Sequence, residues 1–178
     1  LAAPGVLAND QDPDGDVLRA LLVTGPTHGL LTLNTNGGLV YAPFTNFNGA
    51  DSFTYRAADA TSTSSVATVS LTISPVNDAP IAVADAFAAT EDLLLAIPVG
   101  GVLTNDGDVE GNSLSVVLVT GPAHGVVILN TNGSFTYLPA TNFNGSDSFT
   151  YRSFDGALYS EPAAVTLNVS PVNDPPAL

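Results

Sequence analysis

Polar and apolar residues alternate along this chain in short bursts, with no sustained helical period. From Asp147 onward, Phe149 and Tyr151 fall on one face and Ser148, Thr150 and Arg152 on the other, and Ala163, Val165, Leu167 and Val169 keep the same period. Alternation every second residue marks a strand with one buried face, so the aromatic face is predicted to be core. Ahead of these, residues 81–87, 93–99, 114–120, 126–129 and 134–138 are short apolar segments bounded by polar, Gly or Pro positions, and each predicts a strand. Short strands at this density, without helices, specify a β-sandwich. Asn132-Gly133 between the fourth and fifth strands predicts a tight hairpin with a type I′ turn, and Asn36-Gly37 repeats it.

The pattern occurs twice. Gly5-Val6-Leu7-Ala8-Asn9-Asp10 returns as Gly101-Val102-Leu103-Thr104-Asn105-Asp106, a shift of 101 − 5 = 96. Residues 22–29 map onto 118–125 and residues 45–56 onto 141–152 at the same shift. A period this long is a whole domain, which predicts an all-β chain of two tandem seven-strand Greek-key β-sandwiches spanning 1–78 and 79–178. Residues 81–96 have no counterpart ahead of Leu1. The first copy is therefore expected to lack its N-terminal strands, as a piece of a longer array or as a domain that takes strands from another molecule by β-augmentation. Ser74-Pro75-Val76-Asn77-Asp78-Ala79-Pro80 returns as Ser170 to Pro176. Proline at both ends stops helix and central strand alike, so this stretch is predicted to be the joint.

Charge narrows the function. Three Arg and no Lys face seventeen acidic residues, a formal charge of −14, which argues against nucleic acid or an anionic membrane as partner and favours cations. With no Cys there are neither disulfides nor thiolate metal sites, and without Lys there is no Lys-Asn cross-link. No apolar run approaches the length of a membrane-spanning helix, and Leu1-Ala2-Ala3-Pro4 does not begin a signal peptide. The expectation is a mature part of something longer.

The acids cluster in loops. Asp10-Gln11-Asp12-Pro13-Asp14-Gly15-Asp16 places carboxylates at every second position, and the second copy reads Asp106-Gly107-Asp108-Val109-Glu110-Gly111-Asn112. Hard cations such as Ca2+ take several oxygens around one point. The loop opens like an EF-hand, but Leu21 stands where that loop needs its bidentate Glu, and no flanking helices are indicated. The alternative is that these are acidic turns that keep the surface soluble, since Asp, Asn and Gly are ordinary turn residues. His28 and His124 share the turn Gly-Pro-x-His-Gly with no nucleophile indicated beside them, which predicts loop packing. Asn132, Asn144 and Asn168 begin formal glycosylation sequons, and Arg56 and Arg152 are expected on the solvent side of a strand with carboxylates for neighbours.

The words GVLAND, LVTGPxHG, NFNGxDSFTYR and SPVNDxP resemble tandem bacterial cadherin-like or immunoglobulin-like repeats of large secreted adhesins. In such sandwiches the entry loops of one domain follow the exit of the domain before it. The resemblance therefore implies a calcium centre in which Asp51, Asn77 and Asp78 meet Asp106, Asp108, Glu110 and Asp155, with Asn77-Asp78 as linker and Asp155 in a turn after the sixth strand. By the same plan Asp10, Asp12, Asp14, Asp16 and Asp59 form a half-site at the start of the first copy. Glu91 would work with Asp147, Asn173 and Asp174 at the far end of the second. Pro75 stands where cadherin linkers carry a further acid. Asp51-Ser52-Phe53-Thr54-Tyr55 resembles a tyrosine corner, which implies that the Tyr55 and Tyr151 hydroxyls bond backbone near the corner before the sixth strand.

The function implied is a non-enzymatic, extracellular or cell-surface segment of an adhesin, fibre or filament, rigidified by Ca2+ and built from neighbouring copies or adjacent repeats, with end-to-end strand sharing as one form. The rivals are a module that binds surface glycans or another surface ligand, and accessory repeats of a secreted hydrolase.

Overall fold

The computed structural model describes residues 1–175, which form two compact units, Leu1–Val76 and one beginning at Asn77. Unit 1 contains strands β1 (Arg19–Thr24), β2 (Gly29–Leu33), β3 (Leu39–Pro43), β4 (Gly49–Ala58) and β5 (Ala67–Ile73), in sheets ordered β1-β4-β5 and β2-β3. Unit 2 contains β6 (Asp85–Thr90), β7 (Leu95–Ile97), β8 (Ser115–Thr120), β9 (Gly125–Leu129), β10 (Phe135–Pro139), β11 (Gly145–Phe154) and β12 (Ala163–Ser170), in sheets ordered β6-β12-β11-β8 and β7-β10-β9.

The two-residue period sorts the side chains as predicted. Phe149, Tyr151, Val165 and Leu167 are buried, and Phe135 is packed edge-on between Phe87 and Phe149 at 5.1 and 5.3 Å. In unit 1 the core gathers Val6, Leu7, Leu39, Phe53 and Tyr55. Here β5 has β4 on one side and, among the described residues, no strand on the other. Val165 and Leu167, whose strand pairs with β6, are fully buried, whereas their counterparts Val69 and Leu71 are only partly buried.

Two strands lie elsewhere than the apolar pattern indicates. The strand expected at 81–87 begins at Asp85, because the Val83 N–H is given to Asp106 Oδ1 (2.8 Å) and Ile81 makes only a bridge to Gly107. The strand expected at 93–99 shrinks to Leu95–Ile97, between a turn with Asp92 at φ 60° and the Pro98 to Gly100 corner, where Gly100 has φ 95°. The hairpin turn also differs from type I′. Of Asn132 and Gly133 only Gly133 has positive φ (83°), and Gly133 N–H bonds Asn130 O (3.0 Å) while Asn130 N–H bonds Ser134 O (2.9 Å). This is the three-residue loop in which a turn is closed by one left-handed glycine, and unit 1 repeats it at Gly37.

That glycine meets another. In both units the Gly-Val-Leu word forms a 3₁₀ turn, at Gly5–Asn9 and Gly101–Leu103, laid against the hairpin loop. Val6 N–H bonds Gly37 O (3.0 Å) and Val102 N–H bonds Gly133 O (3.2 Å). A Cβ on Gly101 would stand 2.0 Å from Gly133 O, and one on Gly133 would stand 2.3 Å from Gly100 O. Backbone therefore packs directly on backbone, and only glycine permits it.

Candidate metal centre

In unit 2 the acidic loop after the 3₁₀ turn is shaped by its own carboxylate. Asp108 Oδ1 accepts from the N–H groups of Glu110 (3.0 Å) and Asn112 (2.9 Å), and Gly111 turns the chain at φ 74°. The start of the unit closes on this loop. Asn112 Nδ2 donates to Asn77 Oδ1 (3.0 Å), the Asp78 N–H to Glu110 Oε2 (3.2 Å), and Asn77 Nδ2 to Asp155 Oδ2 (2.7 Å). Asp155 Oδ1 takes the N–H groups of Ala157 and Leu158. Asn77, with those two backbone donors, holds the Asp155 carboxyl below the usual carboxylate range.

Two oxygens in the loop lack any donor. Asp106 Oδ2 and Asp108 Oδ2 are buried and without a hydrogen-bond partner. Buried polar atoms are nearly always paired, and an acceptor left without a donor suits a cation. Burial raises the Asp106 carboxyl, only partly offset by Val83 N–H and the Tyr151 and Ser153 hydroxyls, the Ser153 hydroxyl standing near Asp106 without a bond of good geometry; burial and then the charge of Asp106 raise Asp85. A carboxyl raised on folding contributes its stability below its ordinary pKa and loses it as pH rises through the folded value. Once ionised, the pair thus opposes folding unless positive charge arrives. The all-oxygen donor set fits calcium, whereas no group of three or more His, Cys, Asp or Glu is already drawn together for a metal among the described residues.

The loop of unit 1 folds alike, with Asp12 Oδ1 accepting from Asp14 N–H (2.8 Å) and Asp16 N–H (3.1 Å). Asp12 and Asp59 line one hollow of ≈ 190 Å³. Asp59 itself is capped by Thr61 and Ser62, whose N–H and hydroxyl donors hold it well below the usual range. Asp10 Oδ2 accepts from the Tyr55 hydroxyl (2.9 Å).

Asp51 and Asp147 occupy a different environment. Asp51 Oδ1 accepts from Thr27 N–H (3.0 Å), Thr27 Oγ1 and Ser52 N–H (2.9 Å), and Oδ2 from His28 N–H (3.0 Å) and the Tyr41 hydroxyl (2.8 Å). Asp147 repeats this with Ala123, His124, Ser148 and Tyr137. Burial pushes both carboxyls upward, but Tyr and backbone donors outweigh it and hold them low. Every carboxylate oxygen here already has donors.

The hydroxyls of Tyr55 and Tyr151 point elsewhere than a tyrosine corner implies. They reach the 3₁₀ turns, at Val6 O and Val102 O (both 2.8 Å), 49 residues upstream of each Tyr. Burial, then the neighbouring Asp, raises Tyr41 and Tyr55 to about 12. With folded values raised, the stability these phenols contribute is complete below about pH 10 and is lost as pH rises towards 12. Ultraviolet titration of the folded protein should therefore show these tyrosines ionising about two units above an exposed tyrosine; midpoints near 10 would contradict the bonds described.

At the far end of unit 2, Glu91 is buried, with Oε1 accepting from Val172 N–H and Oε2 from Asn144 Nδ2 (3.1 Å). Asp147 is held in its corner and Asn173 Nδ2 donates to Asp174 O, so no bond joins these acids to Glu91 among the described residues. His28 and His124 stack on Phe47 and Phe143 at 4.3 Å, a packing role. Neither Arg56 nor Arg152 has a carboxylate within ion-pair distance among the described residues, contrary to expectation; Arg56 reaches Thr63 Oγ1 instead. Sequence reasoning missed Asn112, Asn144 and the tyrosines that hold Asp51 and Asp147. Asn112 had one visible signal, its place four residues after Asp108 in the alternating loop.

The model of the bacterial cadherin-like domain matches residues 77–171, and that of the bacterial Ig domain matches residues 2–72. A search of the curated proteins found no match. Among solved structures, the extracellular cadherin domains 1–5 of protocadherin gamma B2 are similar at a TM-score of 0.59 and 17% identity, covering 92% of this chain and 35% of that one. Human mucin-like protocadherin EC1-2 is similar at a TM-score of 0.50 and 14% identity, covering 93% and 92%. The endo-fucoidan hydrolase MfFcnA4 of glycoside hydrolase family 107 aligns at a TM-score of 0.41 and 22% identity, and the chain spans 24% of its length. For the two protocadherins, at these identities, the likeness is one of fold.

Proposed function

Because the chain belongs to the bacterial cadherin-like domain family, we propose that it is a non-enzymatic, extracellular or cell-surface structural segment of an adhesin, fibre or filament, stiffened by calcium at the entry loop of unit 2. Its partners are adjacent repeats or neighbouring copies. The observation that carries this reading is the buried, donorless Oδ2 of Asp108, beside the bonds that bring Asn77, Asp78, Glu110 and Asp155 to the same loop. Calcium, when bound, would supply the positive charge that such a loop lacks, and six to eight coordination positions for its oxygens. The residues do the rest: Asp108 Oδ1 keeps the loop folded, and Asn77 and Asp78 fix the proline-bounded stretch to it. Without the ion, carboxylate repulsion loosens that stretch before it loosens the core.

The test is thermal unfolding of metal-free protein across a calcium titration. If calcium reaches about a hundred times its dissociation constant, one site contributes about 2.7 kcal/mol, and the unfolding temperature rises accordingly. Asp108→Asn keeps the oxygen that shapes the loop and removes the donorless one, so it should fold normally and lose most of the rise. Wild-type protein with no calcium-dependent shift overturns the proposal.

A further inference from the structure

We propose that unit 2 carries a saccharide site on the outer face of its larger sheet, where Tyr159, Phe154 and Arg152 take a pyranose ring bearing a carboxylate, the chemistry of a uronic acid residue. The two-residue period of β11 puts Arg152 and Phe154 on the outward face, about 7 Å apart along the strand, while Phe149, Tyr151 and Ser153 are buried beneath. Tyr159 bridges back to Phe154 and stacks on it, with ring centroids 4.4 Å apart and planes inclined by 27°. Phe154 thus covers one face of the Tyr159 ring, and Tyr159 stays 50% exposed.

The fold does not need this aromatic pair. Unit 1 builds the same loop with Ala58 and Thr63 bridged at the equivalent positions. In both copies an aspartate caps the loop, Asp59 through the N–H groups of Thr61 and Ser62, and Asp155 through those of Ala157 and Leu158. In both a serine closes it, Ser64 Oγ accepting from Ala57 N–H and Ser160 Oγ from Ser153 N–H (both 3.0 Å). The stacked rings are added to a loop that is already held.

The arginine decides the class of ligand. In unit 1 Arg56 Nη1 donates to Thr63 Oγ1 (3.5 Å), and in unit 2 Tyr159 stands where that threonine was. Among the described residues Arg152 has no carboxylate within ion-pair distance, and its Nε is enclosed without an acceptor. That enclosure keeps the side chain down on the sheet, so little order is lost when its planar fork meets an anion. The outward positions of β8, β11 and β12 carry no acid, so the excess negative charge of the chain lies off this face. A guanidinium pairs with a carboxylate through two parallel N–H···O bonds, and the C–H groups of a pyranose lie well against the electron-rich face of an aromatic ring. A neutral sugar would leave Arg152 without its anion, and a bare anion would leave Tyr159 uncovered. An acidic sugar meets both.

The test is calorimetric titration of the full chain, in metal-free buffer, with a tetrasaccharide of galacturonic acid and with the matching neutral tetrasaccharide of galactose. Saturable binding of the acidic sugar is expected, at least tenfold tighter than that of the neutral one. Tyr159→Thr installs the residue that unit 1 carries there; it should keep the unfolding temperature and weaken binding at least tenfold. Arg152→Gln should bring the acidic sugar down to the affinity of the neutral one. The proposal is overturned by the absence of saturable binding, by equal binding of the two sugars, by Tyr159→Thr protein that binds as wild type does, or by Arg152→Gln protein that still prefers the acidic sugar. Self-association of the chain that Tyr159→Thr abolishes would also overturn it, by making the patch a contact between copies. Metal-free buffer keeps every arm independent of the calcium centre.

Discussion

Asp147→Ala should lower the stability of unit 2 by about 3–5 kcal/mol, since it strips buried donors of a charged acceptor and each orphaned group costs about 1–3 kcal/mol. Four donors converge on this carboxylate: the N–H groups of Ala123, His124 and Ser148, and the Tyr137 hydroxyl. They tie three separated pieces of chain into one corner, so the loss is felt across both sheets. Asp147→Asn keeps the shape but turns one oxygen into a donor facing other donors, and it should recover less than half of the loss. Urea denaturation with per-residue readout on unit 2 decides the matter; a change below about 1 kcal/mol would mean that the corner contributes no more than a surface bond. Because folding holds this carboxyl below its ordinary pKa, its contribution is complete above about pH 4 and is lost as pH falls through the folded value. Acid should therefore shrink the difference between wild type and Asp147→Ala.

Gly101→Ala should be comparably damaging, by about 3–5 kcal/mol, through two separable causes. The residue holds φ 40°, outside the range an alanine prefers, and its added Cβ would stand 2.0 Å from Gly133 O. Backbone oxygen cannot rotate away as a side chain can, so the 3₁₀ turn must lift from the hairpin loop. Lifting it withdraws Val102 from the core and its carbonyl from the Tyr151 hydroxyl. Gly156→Ala is the matched control: φ is also positive, at 104°, but nothing lies within 4 Å of the new methyl. The excess loss in Gly101→Ala over Gly156→Ala reads the close approach itself, and equal losses would show that backbone conformation alone sets the cost.

The long strands were legible because β11 and β12 repeat a two-residue period over full lengths, and burial follows it residue by residue. β6 and β7 were not, because their limits are set by tertiary bonds that no periodicity records. Val83 looks like strand but gives its N–H to Asp106, and Leu93 and Leu94 are apolar yet exposed beyond the turn at Asp92. Asn-Gly suits the two-residue type I′ turn, but the same dipeptide also closes a three-residue loop, and the packing of the 3₁₀ turn selects the latter. The site was legible by composition and less so by role. Alternating acids identified the loop of Asp106 and Asp108, whose free oxygens need burial data to be seen. Asp51 and Asp147 share that chemistry on paper, but which donors surround a carboxylate depends on the fold of segments some twenty residues upstream.

The glycine contact and the aspartate corner are built from uncharged donors and backbone, and neither draws on a metal. They are also where the two copies agree most closely: Gly5 and Gly101, Gly37 and Gly133, Asp51 and Asp147 are identical, while Asp14 has become Glu110 and Asp16 has become Asn112. The loop residues Asp10 and Asp12 are likewise retained as Asp106 and Asp108, so the difference between the copies is confined to the later positions of the acidic loop. On the proposed calcium reading, loops that differ at these positions would soften at different ion concentrations while each sandwich keeps its fold.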